Sequence, residues 1–328
     1  DSLLDEDIEF YKSYATDKLI AKIIADLKEY RINYDVYTSE KAIRNKYNLQ
    51  NIIDILTKNG YTYERDGALW FKCSALFDDE DHVLVKEDKT LTYLVPDIAY
   101  HLDKYNRGYD KMIDIFGADH HGYVARLKSS VKALGNDPEK LEVKLLQLVR
   151  LIRDGEVVKM SKRTGKSVTL KELIDEVGIN AARYYFVKSS LDTQMDFDLN
   201  LAKSKSNENP VYYVCYAYAR ISSILKETDY NEIPQKFDAL NDEDSYNVLE
   251  KVYAFPEVVK NAAQKELPHL ITNYVYDLAN TFHNYYSRIR IITDDEEITK
   301  ERILLIKSVH QTIKNALDLI GVIPPEKM

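Results

Sequence analysis

The densest cluster of reactive side chains is Lys159-Met160-Ser161-Lys162-Arg163-Thr164-Gly165-Lys166. Four cations fall within eight residues, and no acid interrupts them. Lysine ammoniums on a loop of small residues can neutralise a polyphosphate as charge moves onto its leaving group. A charge run is also often no more than a solvated face. The second cluster is Gly117-Ala118-Asp119-His120-His121-Gly122, placed where an apolar strand pattern gives way to a helix. Open α/β sheets bind ligands outside the carboxyl ends of their strands. Glycines there let a ligand approach the backbone closely. Asp119 can accept from ribose hydroxyls, and His120 can stack on a nucleotide or hydrogen-bond to it. A satisfied turn histidine is the competing reading. The adjacent histidines could suggest a metal, but no cysteine or third histidine stands at ligand spacing, so no metal site is assigned. The acidic run Asp78-Asp79-Glu80-Asp81 lacks the spacing of a calcium loop and reads as an exposed loop.

A third group is Tyr93, Asp97 and Tyr100. A carboxylate flanked by aromatic rings is a receptor for a guanidinium, which takes paired hydrogen bonds and stacks on rings. Asp97 stands at a predicted helix start, and on these residues alone capping that helix is the preferred reading. A fourth group is Tyr212, Tyr216 and Arg220, spaced by four on one helix face. Such a face can stack unpaired bases. Tyrosines at helical spacing also serve as ordinary packing, which is the reading preferred for the neighbouring Tyr213.

These groups need elements to hold them. Apolar spacing predicts helices over 5–30, over 39–47 with Ser39 as N-cap, and over 49–58 ending at Asn59-Gly60. Asp66-Gly67 signals a hairpin between strands at 61–64 and 68–73, and 82–86 reads as a third strand. A helix over 94–105 carries Pro96 in its first turn, where a missing N–H costs nothing. A buried strand at 111–116, a turn, and a helix over 123–134 follow. Residues 143–153 read as one further apolar strand. Thr169-Leu170-Lys171-Glu172 fits a capping box. Strands alternating with helices suggest a parallel sheet. From residue 209 onward only helices are predicted, over 211–227, 243–262, 268–292 and 299–320, with a linker at 231–240.

The sequence has 328 residues, long enough for two or three domains. It carries 45 basic and 54 acidic residues, which excludes a globally basic nucleic-acid glove. Between 208 and 328 there are 13 basic and 19 acidic residues, so charge alone cannot attract RNA to the helical part. Ten glycines are few for an all-β fold. No apolar run is long enough to span a membrane and no secretory leader is read at the start. Cys73 and Cys215 do not make a disulfide framework, and the expectation is a cytoplasmic chain. No Gly-x-x-x-x-Gly-Lys or Gly-x-Gly-x-x-Gly is present, which disfavours an ATP-dependent α/β nucleotidyl transferase built on either loop.

Taken together, these residues resemble arginyl-tRNA synthetase, a class I aminoacyl-tRNA synthetase. Lys159-Met160-Ser161-Lys162 is similar to the class I signature loop. Further likeness lies in 63–70, 97–104, 117–123, 150–165, 209–214 and the end from Leu319 to Met328, so it spans nearly the whole chain. The resemblance implies a partial Rossmann-like α/β catalytic region plus an all-α anticodon-binding bundle. The expected divisions are a small mixed α/β insertion at 1–90, the second half of the catalytic fold with its lysine loop at 91–207, and the anticodon-binding helices at 208–328.

The same resemblance implies ATP-dependent activation of L-arginine to arginyl-adenylate and transfer to tRNA(Arg), with tRNA needed for activation. Lys159 and Lys162 would be catalytic. Lys159, Met160, Ser161, Lys162, Gly117, Asp119 and His120 would bind ATP, accompanied by Mg2+, with no tightly bound cofactor. Tyr93, Asp97 and His121 would hold arginine, and Tyr212, Tyr216 and Arg220 would touch tRNA. A monomer working without a membrane is expected. Cys215 and Tyr218 depart from the Gln and His common in relatives. Class I synthetases also carry a His-x-Gly-His sequence, and none of the histidines at 82, 101, 120, 121, 269, 283 and 310 fits that spacing. The expectation is therefore a C-terminal part that lacks the N-terminal domain and the first catalytic half and is inactive alone. A non-catalytic tRNA-binding module is the alternative.

Overall fold

Helix α1 (Ile8–Glu29) starts where Asp7 caps it, its carboxylate accepting from the Phe10 amide at 2.8 Å. The computed structural model describes residues 7–158, 168–228, 233–234 and 236–328. The cationic run, with Lys159, Met160, Ser161 and Lys162, lies outside the described residues. The chain forms two compact units: one holds the residues up to 33 with 149–190 and 195–328, the other holds 34–148 and 191–194.

The second unit begins with α2 (Glu40–Tyr47) and α3 (Leu49–Lys58). Ser39 caps α2 as its sequence position predicts, accepting from the Ala42 amide. β1 (Thr62–Arg65) and β2 (Ala68–Phe71) pair antiparallel around Asp66 and Gly67, both at positive φ, as a tight primed turn requires. β3 (His82–Val85) extends this sheet from β2. The helix α4 (Leu94–Asn106) then lays Val95, Ile98 and Ala99 against Ile52, Leu56 and Phe71. Next come β4 (Met112–Gly117), α5 (Tyr123–Ala133) and β5 (Leu141–Leu146). β4 and β5 are parallel, in register from Met112↔Leu141 to Gly117↔Leu146. β4, the turn and α5 are the strand–turn–helix unit that the sequence pattern predicts.

Three expectations for this unit need correction. β4 is buried on one face only. Met112 packs with Leu127 and Val131 of α5, whereas Ile113 and Ile115 point to solvent, because successive strand residues face opposite ways and α5 covers a single side. The stretch 143–153 is not one strand. It breaks at Gln147-Leu148, where the Gln147 amide donates to the Leu191 carbonyl, and its two halves belong to different units. The acidic run is not uniformly exposed either. Asp78 turns to His82 Nε2 at 2.8 Å, and Asp81 accepts from Ser74 Oγ at 2.7 Å and Tyr63 Oη at 3.0 Å.

In the first unit, β6 (Val149–Arg153) and β7 (Glu156–Val157) form the hairpin at Asp154-Gly155. Thr169 and Glu172 make the reciprocal capping box ahead of α6 (Leu170–Val177). α7 (Ile179–Val187) follows Gly178. β8 (Met195–Asp198), absent from the sequence reading, lies parallel to β6. The short helix α8 (Leu199–Lys203) leads to the bundle α9 (Pro210–Lys226), α10 (Glu243–Lys265), α11 (His269–Arg288) and α12 (Glu296–Leu319). Ile221, Leu278, Phe282, Ile306 and Ile313 are fully buried at its centre. Apolar side chains recurring every three to four residues put them there.

Candidate functional site

α4, α5 and the end of β4 wall a cavity of about 720 Å³ within the second unit. Tyr93, Asp97, Tyr100 and Lys104 come from the start and length of α4, Tyr123 and Arg126 from α5, Phe116 from β4, and His82 from β3. Asp97 does not cap its helix. Its Oδ2 accepts from Tyr123 Oη at 2.5 Å. Burial and that carboxylate together push the Tyr123 phenol far up, so it remains a proton donor. Asp97 Oδ1 takes no hydrogen bond among the described residues.

Behind this wall His101 ties α4 to β4. Its Nδ1 is 2.8 Å from the Asp97 carbonyl and its Nε2 is 2.7 Å from Asp114 Oδ2. Lys104 donates to the other oxygen of Asp114. Burial acts to raise the Asp114 carboxyl, but hydrogen bonds from His101 and Lys104 outweigh it and hold the group below the usual carboxylate range. Lys104 Nζ also sits 4.6 Å from the centre of the Tyr100 ring. The cavity therefore offers one carboxylate, Asp97, among Tyr93, Tyr100 and Tyr123, with its cations partly engaged elsewhere.

The predicted residues do not all meet there. Tyr93, Asp97 and His120 line the cavity, with Tyr93 85% exposed at its rim. Gly117, Asp119 and His121 do not line it. Asp119 Oδ1 lies 3.9 Å from His120 Nε2 on a largely exposed turn. Sequence reasoning missed Tyr123, Arg126, His101 and Lys104. Helical spacing carried the signal: Tyr100 and Lys104 are four apart on α4, and Tyr123 and Arg126 three apart on α5.

The bundle assembles its predicted face. The rings of Tyr212 and Tyr216 are 6.1 Å apart and 8° from parallel. The Arg220 guanidinium lies 4.5 Å over Tyr216 and 4.8 Å over Tyr286. Tyr213 instead packs against His283, with ring centres 4.5 Å apart. Cys215 and Tyr218 are buried, and Tyr218 stacks on His310 at 3.9 Å.

A family model described as tRNA synthetases class I (R), catalytic domain, matches residues 3–230, and one described as DALR anticodon binding domain matches 214–328. The chain belongs to the class I arginyl-tRNA synthetase family. Arginine–tRNA ligase 1 of Halalkalibacterium halodurans is 47% identical over 99% of this chain, and arginine–tRNA ligase of Bacillus subtilis is 46% identical over 98%. The chain spans 59% of the length of either relative. A Campylobacter jejuni structure described as an arginyl-tRNA synthetase superposes with a TM-score of 0.89 at 33% identity, covering 96% of this chain and 69% of that one. The fold is thus a class I synthetase catalytic region joined to a helical anticodon-binding domain. Among the described residues no helix is long and apolar enough to cross a membrane.

Proposed function

We propose that this chain is the arginine-recognising and tRNA-docking part of an arginine–tRNA ligase. The observation that carries the reading is the Asp97 carboxylate set among three tyrosines in the cavity wall. A guanidinium presents parallel N–H groups to a carboxylate and stacks flat on rings, whereas the lysine ammonium does neither. A site built for the planar fork rejects the analogue that leaves its polar groups unpaired.

In this reading Tyr93 and Asp97 in the cavity wall, with His121 assigned from the resemblance alone, hold the substrate arginine, and Gly117, Asp119 and His120 stand at the nucleotide side. Lys159 and Lys162, assigned from sequence alone, neutralise the triphosphate. The arginine carboxylate attacks the α-phosphorus of ATP, the bond to pyrophosphate breaks, and arginyl-adenylate forms. The arginyl group then passes to the terminal adenosine of tRNA(Arg), which Tyr212, Tyr216 and Arg220 help to dock. Among the described residues Asp97 is the one carboxylate lining the cavity. That is too few oxygen ligands for a caged hard cation, so Mg2+ would arrive on the nucleotide phosphates. The working form is a cytoplasmic monomer, and sedimentation of the purified chain tests the oligomeric part.

The chain alone is expected not to charge tRNA, because no His-x-Gly-His sequence is present to share the phosphates with Lys159 and Lys162. Arginine-dependent ATP–pyrophosphate exchange with tRNA(Arg) should stay at background. Robust exchange would remove that claim but leave the pocket assignment standing. Arginine binding by the chain, followed by NMR against a lysine control, tests the pocket. Equal affinity for both amino acids would overturn it. The Tyr212–Tyr216–Arg220 ladder keeps a second reading in play, a tRNA-binding module without chemistry. Tight tRNA binding with no arginine binding would favour that one.

A further inference from the structure

The described residues bring together a set of soft and hard donors that the arginine reading does not use. Cys73 Sγ, a carboxylate oxygen of Asp78 and a ring nitrogen of His82 all lie within 4.8 Å of one another. We propose that Cys73, Asp78 and His82 form a binding site for a zinc-class divalent ion. The local fold builds it. Cys73 opens a 3-10 turn directly after β2, and the chain returns so that the Asp78 amide donates to the Cys73 carbonyl at 3.3 Å. His82 stands opposite Phe71 in the β2–β3 ladder. The Asp79 amide occupies Asp78 Oδ1 at 2.9 Å, which directs Oδ2 toward His82 Nε2. Metal-ligating carboxylates are oriented by this kind of outer hydrogen bond. Cys73 is fully buried, and the side chains of Asp78 and His82 are 13% and 16% exposed.

The donor set decides the ion. One sulfur, one imidazole nitrogen and one carboxylate oxygen suit zinc and cobalt, and are poor for magnesium or calcium. Zinc bonds of about 2.0–2.3 Å at tetrahedral angles set neighbouring ligand atoms about 3.3–3.6 Å apart. Asp78 and His82, hydrogen-bonded at 2.8 Å, must part by about half an ångström. Ion binding breaks that hydrogen bond, shifts the imidazole proton from Nε2 to Nδ1 by exchange with water, releases the Cys73 thiol proton to water and leaves the fourth position for a water molecule. A thiolate, not a thiol, is the ligand, so the ion must displace the Cys73 proton to bind. Arg126 Nε lies 4.0 Å from Asp78 Oδ2 and opposes a second positive charge. Affinity should therefore fall short of a four-ligand structural site. His82 also lines the cavity, so an ion here would stiffen the loop between β2 and β3 at the cavity edge.

Cobalt(II) titration of the whole reduced chain tests this. The expected result is one equivalent bound, a thiolate-to-cobalt charge-transfer band in the near ultraviolet, and displacement by zinc. Cys73→Ser should abolish the band and Cys215→Ser should keep it. His82→Gln should weaken cobalt binding at least tenfold in a chain that still unfolds cooperatively in the absence of ion. No band from the folded native chain, or the same band from Cys73→Ser, would overturn the proposal. If Cys73→Ser does not fold, unchanged cobalt affinity in His82→Gln overturns it instead.

Discussion

Tyr123 on α5 donates its phenolic hydrogen to Asp97 on α4 across 2.5 Å. The bond fixes one carboxylate oxygen of this cavity-lining residue and leaves the other without a hydrogen-bond partner among the described residues. Asp97→Asn keeps the shape but removes the charge, and hydrogen bonds to charged groups are worth about 1.5–3 kcal/mol. Arginine affinity should fall roughly 10- to 100-fold. Tyr123→Phe only frees the carboxylate to turn, so its loss should be smaller. NMR titration with arginine measures both, and equal effects of the two variants would argue against this geometry.

Gly117 stands at the end of β4, and a Cβ placed there would lie 2.6 Å from Asp119 Oδ1. Its φ is ordinary, so backbone strain is not the issue. Gly117→Ala must turn the exposed Asp119 side chain away. Melting temperature should hardly move, because surface changes away from the core stay within about 0.5 kcal/mol. ATP-analogue binding by the chain should weaken if Asp119 faces the nucleotide. Unchanged binding would remove Asp119 and Gly117 from the site.

Local chemistry made much of this fold legible. The Asp66-Gly67 hairpin, the Ser39 cap, the Thr169–Glu172 capping box and all four bundle helices follow from residues close in sequence. What was not legible depends on distant partners. Ile113 and Ile115 read as buried because an apolar strand reveals nothing about how many faces are covered. β8 was missed because four residues, two of them aspartates, make a strand only beside β6. In the site, Asp97 was visible as a carboxylate among tyrosines, but its partner Tyr123 lies 26 residues away on another helix. The burial of Tyr218 on His310 likewise needs α12 in place.

Asp103 is buried and accepts from Lys46 at 2.7 Å, Arg107 at 2.7 Å and Tyr47 at 2.9 Å. Burial acts to raise its pKa, but these three donors bring it down to about 2. A carboxylate depressed in the folded state stabilises above its unfolded pKa of about 3.9, and that contribution disappears as pH falls toward about 2. Lys46 is well exposed, so screening trims the effect to about 1 kcal/mol. Urea unfolding should show Asp103→Asn less stable than the native chain at about pH 6, with the gap narrowing as pH drops through about 3. A gap independent of pH would mean the ion pairs contribute nothing.

Tyr216 is held between Tyr212 and Arg220. If this ladder stacks unpaired bases, Tyr216→Ala should cost about 1–3 kcal/mol of tRNA binding, a loss of roughly 5- to 100-fold. Arg220→Lys keeps the charge yet loses the flat stacking surface, so it should also weaken binding. Gel shifts with tRNA(Arg) at fixed salt measure this. Undiminished affinity in both variants would assign the ladder to packing alone.

Arg183 on α7 fixes two distant chain segments by their carbonyls. Its Nε donates to Ile320 at 2.8 Å and its Nη1 to Tyr30 at 2.9 Å. Gly321 follows immediately, at φ +71, and Arg31 donates to its carbonyl at 2.8 Å. A Cβ at Gly321 would collide with Arg183 Nε and stand 2.6 Å from Nη2. A long side chain usually escapes such a clash, but moving this guanidinium breaks hydrogen bonds to buried backbone. Gly321→Ala therefore combines a left-handed backbone penalty of about 1 kcal/mol with the loss of one or two hydrogen bonds worth about 1 kcal/mol each. The total expected is about 2–3 kcal/mol, read as a lower denaturation midpoint at unchanged slope. Arg183→Ala removes the clash and the bonds together, so adding Gly321→Ala to it should cost only the backbone part. Full additivity of the two substitutions would show that Arg183 and Gly321 are not coupled.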